Sequence, residues 1–162
     1  MPEPMRARKG DPVLARHRQA SHEYHLLETF EAGIQLTGTE VKALRAGRTQ
    51  LREGYVRIEH GEAWLLQVHI GQYEMGNRQN HDPERRRRLL LHRREIGYLD
   101  AKVSQGGLTL VPLRLYLKGN RIKCEVALAR GKRQWDKREA IAERDARRDV
   151  DRAMSSQIRG RT

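Results

Sequence analysis

Residues 30–47, FEAGIQLTGTEVKALRAG, pass from an extended stretch through a glycine into one short helix. Thr37 and Glu40 have the spacing of a capping box. In that motif the threonine hydroxyl accepts from the glutamate amide, and the carboxylate accepts from the threonine amide. Val41 and Leu44 then share one face, three residues apart, and Lys42 and Arg45 form a basic edge at the same spacing. Gly47 stands where a left-handed C-terminal cap belongs, a conformation that glycine takes freely. A strand, a capped helix and a glycine stop make a corner that plugs one end of a sheet.

Outward from this corner the pattern is mostly that of strands. In HEYHLLETF (22–30), Tyr24, Leu26 and Phe30 face a core, and Ile34 and Leu36 read as a second strand after Gly33. Tyr55–Glu59 alternates, His60-Gly61 signals a turn, and AWLLQVHI (63–70) places Trp64, Leu66, Val68 and Ile70 on one face. The two strands predict a hairpin. Gly71 to Glu84 reads as a loop. The four arginines Arg85–Arg88 run into three leucines, which makes them a candidate rim of a binding surface. Ile96, Leu99 and Val103 have helical spacing, with Gly106-Gly107 as the stop.

In LTLVPLRLYLK (108–118), Leu113, Leu115 and Leu117 oppose Arg114, Tyr116 and Lys118, while Pro112 marks an edge or a bulge. Gly119-Asn120 is a tight turn. The return strand buries Ile122, Cys124, Val126 and Leu128. About six short strands broken by helices predict a mostly β fold, a small antiparallel OB-like barrel over residues 21–130. An SH3-like or other small α+β barrel is the alternative.

The termini differ from this middle. Residues 1–20 are basic and proline-marked and predict a flexible arm. From Gly131 to Thr162 both charge signs are dense. At 100° per residue Arg133, Lys137, Arg144, Arg148 and Arg152 share a face, opposite Ala142, Ala146, Val150 and Ala153. An alanine stripe buries little, and like charges four apart oppose an isolated helix by roughly 0.2–0.5 kcal/mol per pair. Residues 131–162 therefore predict a basic tail, disordered when free and helical when its arginine column meets phosphates.

The chain has 162 residues and a net charge of +12, with 37% apolar residues against a usual ~45–50%. Its arginine surplus suits phosphate, because guanidinium is a rigid bidentate fork, and nucleic acid is the expected partner. Cys124 is the only cysteine, so an internal disulfide and a thiolate zinc site are excluded. No apolar run approaches the ~20 residues of a membrane span. The first twelve residues lack the apolar centre of a signal peptide, so a cytoplasmic monomer is expected.

Seven histidines suggest metal or nuclease chemistry. His22 and His25, three apart on an expected strand, would face opposite sides. The chain carries no H-E-x-x-H, P-loop or G-x-S-x-G. Glu31 and Glu40 fall in a capping corner, where a structural carboxylate is the default. No enzyme activity, metal or cofactor is expected.

The stretch 30–47 closely resembles the SsrA-binding protein family, SmpB. The resemblance continues through RRRRLLLHRREI (85–96), LVPLRLYLK (110–118) and ALARGKRQWDKRE (127–139), in order. It implies an OB-like barrel that binds the tRNA-like part of transfer-messenger RNA. It also implies a tail that enters the vacant message channel of stalled ribosomes, lined by small-subunit ribosomal RNA. Carried over by position, it assigns RNA contact to His22, Glu31, Leu91, Lys123, Arg130, Lys132 and Arg133. It assigns the decoding region to Trp135, Asp136, Lys137 and Arg138, with Arg144, Arg148 and Arg152 following along the tail. Trp135 replaces a usual His or Tyr, and an indole also stacks on a base. His17-Arg18-Gln19-Ala20 departs from the family's Asn-basic-basic-Ala. A generic OB-fold RNA or ribosome-associated factor is the alternative function. It accounts for barrel and charge but not for the GKRQWDKRE junction. A histidine nuclease is the third class; it requires metal.

Overall fold

The computed structural model describes residues 11–73, 80–132 and 134–159. Residues 1–10 of the expected arm, the Gly76 and Asn77 turn signals, and Arg133 lie outside them. In chain order the elements are β1 (Val13–Arg16), α1 (Ala20–Glu23), β2 (Tyr24–Ile34), α2 (Gly38–Arg45), β3 (Thr49–Gln50), β4 (Tyr55–Glu59), β5 (Glu62–Leu66), β6 (His69–Ile70), β7 (Arg87–Leu90), α3 (Arg93–Ser104), β8 (Thr109–Lys118), β9 (Arg121–Gly131) and α4 (Gln134–Arg159). Two compact units result, one ending at Gly131 and one beginning at Lys132.

Every strand pairing is antiparallel. The order β8-β4-β5-β7-β2-β9 closes on itself, because β9 pairs with both β2 and β8. Closure pairs the strands around a ring, and the first unit is the expected OB-like barrel. Phe30, Leu65, Leu89, Leu110, Leu115, Cys124, Val126 and Leu128 fill it. Burial pushes the Cys124 thiol up to about 12, so it is an inert core residue. Leu99 of α3 and Ala43 and Leu44 of α2 join the same core.

The helix corner forms as its spacing predicts. The Thr37 amide donates to Glu40 Oε1 at 2.9 Å, the Glu40 amide donates to Thr37 Oγ1 at 3.4 Å, and Gly47 has φ +77°. The β4–β5 hairpin turns at His60 (φ 51°) and Gly61 (φ 75°), and β8 turns into β9 through Gly119 (φ 62°). The bulge expected at Pro112 lies between Pro112 and Arg114.

Five local expectations are corrected. The arm is shorter than 20 residues. β8 pairs with β4 only at Leu110 and leaves an edge, which β1 covers from Val13 to Arg16. Gly33 does not divide β2, which runs unbroken to Ile34 because β7 and β9 pair with it on both sides of Gly33. His22 sits in α1 rather than on a strand. Finally, Ala63 and Leu65 face the core, not Trp64 and Leu66; Gln67, at φ 57°, resets the alternation so that Val68 and Ile70 are buried. The extra residue of the β8 bulge also takes Leu113 away from Leu115. Leu113 packs with Tyr24 against Val111, Ala127 and Ala129 in a small second cluster.

The second unit is described by α4 alone, a helix of 26 residues, about 39 Å long at 1.5 Å per residue. Its side chains from Ile141 to Ser155 are all exposed. The alanine face opposite the arginine column thus buries nothing, as its composition implies.

Candidate nucleic-acid interface

The outer face of β2, β9 and β8 is built by alternation. Glu31 lies opposite Glu125, and Lys123 lies opposite both Gly33 and Tyr116. Arg114 also pairs across to Glu125. The period of two sends Glu31, Lys123, Glu125, Arg114, Tyr116 and Lys118 outward together. Two carboxylates so placed would repel each other, and each has a counter-group. Arg114 Nη2 and Nε donate to Glu125 Oε2 at 2.7 and 3.0 Å. Lys118 Nζ donates to Glu31 Oε1 at 3.0 Å, and the Tyr116 hydroxyl donates to Glu31 Oε2.

These partners set the charge states. Burial opposes the Glu31 charge, but hydrogen bonds from Tyr116 and Lys118 outweigh it and hold the carboxyl below its ordinary 4.5. Burial, then the bond to Glu31, pushes the Tyr116 phenol well above its ordinary 10.0. Tyr116 is buried although it points outward, because the Arg114 guanidinium covers its ring at 5.0 Å. Glu31 is therefore a fixed anion at neutral pH. Its oxygens face cations and a hydroxyl, and a carboxylate in that setting accepts from base amino groups or 2′-hydroxyls rather than meeting phosphate.

Arg85–Arg88, the strongest basic run in the sequence, behaves otherwise. Arg87 is fully buried. Its Nε donates to Glu40 Oε2 at 2.5 Å, and its Nη1 and Nη2 donate to the Val68 and Pro83 carbonyls at 2.6 and 3.1 Å. Arg85 Nη2 takes the other oxygen of Glu40 at 2.5 Å. Burial opposes ionisation of Glu40, yet Arg85, the Thr37 amide and Arg87 together keep it below 4.5. Arg86 stacks 4.0 Å from the Trp64 ring centroid and lies 3.5 Å from Glu59, and Arg88 lies 3.0 Å from Glu62. The run locks β7 to α2 and to its neighbours, so it is not the free rim that the sequence suggested. Three carboxylates far off in sequence, Glu40, Glu59 and Glu62, pair with it.

The structure brings Glu31 and Lys123 together on one face. It places Leu91 just after β7, packed on the core, and His22 half-buried in α1. Arg130 is exposed opposite His25, seven residues along β9 from Lys123 and of opposite parity, up to ~23 Å away by strand rise. Lys132 opens the second unit. Trp135, Asp136, Lys137 and Arg138 lie in the first turns of α4. The side chains of Trp135, Asp136 and Lys137 are outside the described residues, while Arg138, Arg144, Arg148 and Arg152 are exposed. Alternation along β8 puts Arg114, Tyr116 and Lys118 on one face, but their pairing with Glu31 and Glu125 leaves no local signal.

Among the described residues no group of three or more His, Cys, Asp or Glu is placed to hold a metal. None of the described helices is long and apolar enough to cross a membrane.

Comparison with known proteins places this geometry. The family model described as SmpB protein matches residues 14–156. An SsrA-binding protein of Thermobifida fusca (strain YX) is 56% identical over 146 residues, 90% of this chain and 91% of the relative. That of Carboxydothermus hydrogenoformans is 54% identical over 144 residues, 89% of this chain and 97% of the relative. A chain of the solved structure "tmRNA-SmpB: a journey to the center of the bacterial ribosome" is similar at a TM-score of 0.65 and 48% identity. The match covers 80% of this chain and 94% of that one. The closed barrel, the paired outer face and a match along most of the sequence agree: this chain belongs to the SmpB family.

Proposed function

We infer that the chain binds the tRNA-like domain of transfer-messenger RNA through its barrel and delivers it to stalled ribosomes in the cytoplasm. Its C-terminal helix then occupies the vacant message channel and decoding centre, standing in for the missing anticodon arm. The chain is a binding and delivery factor, and no residue in this reading makes or breaks a covalent bond. In the barrel, Glu31, Lys123, His22, Leu91 and Arg130 contact the RNA, joined by Lys132 and Arg133. Along the helix, Trp135, Asp136, Lys137 and Arg138 meet the decoding region, and Arg144, Arg148 and Arg152 follow the channel phosphates.

The observation that carries this reading is a helix of 26 residues, exposed throughout from Ile141 to Ser155, with a column of arginines. Among these described residues no apolar side chain is buried, and the like charges oppose the helix. A groove lined with phosphates supplies both counter-charge and ordering energy, which for coupled folding costs about 2–5 kcal/mol or more.

Cutting the chain after Arg133 tests the division of labour. Binding of transfer-messenger RNA and recruitment to ribosomes are expected to survive, while tagging of stalled products is lost. Trp135→Ala is expected to reproduce much of that loss, and Trp135→His to be tolerated. Circular dichroism of a peptide spanning 131–162 is expected to show little helix in buffer. Normal tagging by the truncated protein overturns the reading.

A further inference from the structure

We propose that Tyr116 is a positioning residue for RNA binding: its hydroxyl aims the Glu31 carboxylate, and Arg114 and Glu125 hold the phenol in place to do so. This rests on the reading of Glu31 as an RNA contact and adds the device that aims it. Tyr116 lies on the outer face of β8, opposite Val13 of β1 and Lys123 of β9. Glu31 lies on β2, on the far side of β9. Strands stand ~4.8 Å apart, so the phenol crosses a whole strand to reach Glu31 Oε2. The two residues are 85 positions apart in the chain, and only the barrel makes them neighbours.

The surroundings fix the phenol. Tyr116 is fully buried although its strand position points outward. The Arg114 guanidinium lies 5.0 Å from its ring centroid. That guanidinium is itself tied to Glu125 Oε2 by two N–H bonds. A tyrosine has only two side-chain torsions, and burial sets both. Lys118, the other partner of Glu31, is a point charge on a flexible four-carbon stem. The lysine therefore answers the charge of Glu31, and the tyrosine sets its direction. Only 15% of the Glu31 side chain is exposed, so a ligand reaches its oxygens through a narrow angle. A free glutamate loses rotamer freedom when a ligand fixes it, which opposes binding. Glu31 held by Tyr116 has lost that freedom on folding. Each carboxylate oxygen accepts at two sites, so Lys118 leaves acceptor capacity on Oε1 for the RNA.

The test uses the full-length protein and the isolated tRNA-like domain of transfer-messenger RNA. Affinity per folded molecule is measured for wild type, Tyr116→Phe, Glu31→Ala and the double variant. Tyr116→Phe keeps the ring under Arg114 and removes one oxygen. It is expected to weaken binding roughly tenfold, the scale of a hydrogen bond to a charged group. In the Glu31→Ala background the same change is expected to weaken binding no further, since there is no carboxylate left to aim. The salt slope is expected to stay at the wild-type value, because a neutral hydroxyl releases no counterion. Carbon-detected NMR titration of the free protein gives a second readout. The Tyr116 hydroxyl helps hold the Glu31 carboxyl below 4.5, so the Glu31 midpoint is expected to rise in Tyr116→Phe.

Wild-type affinity in Tyr116→Phe, beside weakened binding in Glu31→Ala, overturns the positioning role and leaves Glu31 as an RNA contact. An equal loss in both backgrounds makes Tyr116 a support of the barrel at large and also overturns it. So does an unmoved Glu31 midpoint, which would show that the hydroxyl does not hold the carboxylate in solution. If Glu31→Ala itself binds normally, the reading of Glu31 as a contact falls and the proposal with it.

Discussion

Two basic regions of the barrel differ both in how the sequence presents them and in what the fold does with their charges. Arg85–Arg88 is four consecutive cations, yet each side chain ends on a carboxylate or a carbonyl. Arg45, Arg121 and Lys123 are scattered over 79 positions of the chain and meet around one apolar groove, with no ion-pair contact to a carboxylate among the described residues, although Lys123 helps hold Glu31 ionised. Charge density along a sequence is therefore a poor guide to charge available for a partner. What counts is which cations the fold has already neutralised.

The sharpest way to break this comparison is Glu40→Ala. It strips the counter-ion from a fully buried Arg87 and removes the capping carboxylate of α2 as well. Removing one partner of a buried pair costs about 3–5 kcal/mol, because the other charge stays buried and unanswered. Urea unfolding is expected to show that loss, whereas Arg45→Ala at the groove changes stability by less than ~0.5 kcal/mol. Equal midpoints for the two variants would show that the arginine run is no more structural than the rim.

Acid sharpens the same point. Glu40 and Glu31 both titrate below 4.5 when folded. The unfolded chain then binds more protons than the folded one in that window, so stability rises with pH there. The contribution is complete above about 4.5 and is lost as pH falls through the lower folded values. Glu40→Gln is expected to flatten the acid limb of a stability–pH profile, and Glu31→Gln to flatten it less. A limb unchanged in both would exclude these carboxylates as its source.

The smallest effects belong to the outer arginines of the run. Arg86 and Arg88 are 52% and 42% exposed, and their pairs with Glu59 and Glu62 are surface pairs, worth about 0–1 kcal/mol. Arg86 adds a cation–π contact with Trp64 of similar size. Arg86→Ala and Arg88→Ala are expected to leave the salt slope of RNA binding unchanged, while Lys123→Ala lowers it by roughly 0.7–0.9. A drop in slope for Arg86→Ala would return the run to the binding surface.

Much of the barrel was legible because its signals are local. The Thr37–Glu40 capping box, the His60-Gly61 and Gly119-Asn120 turns and the Gly106-Gly107 stop all involve neighbours in the chain. Alternation likewise named the inward side chains of β9. It failed at Trp64, where Gln67 in a left-handed conformation shifts the phase, and at Leu113, where a bulge adds a residue. Both are backbone events fixed by pairing with other strands, which no period of two can register.

The sequence by itself determined the strand-rich barrel, the capped corner, the charge-segregated tail and, by resemblance, the family. Each follows from residues within a few positions of one another, or from motifs read in order. Only the tertiary structure decided which charges are spent. Glu40 reaches Arg87 across 47 positions, Glu31 reaches Tyr116 across 85, and the groove collects Val41, Leu90 and Lys123 from three separate elements. An ion pair or a pocket depends on distance in space, and closing the barrel sets those distances.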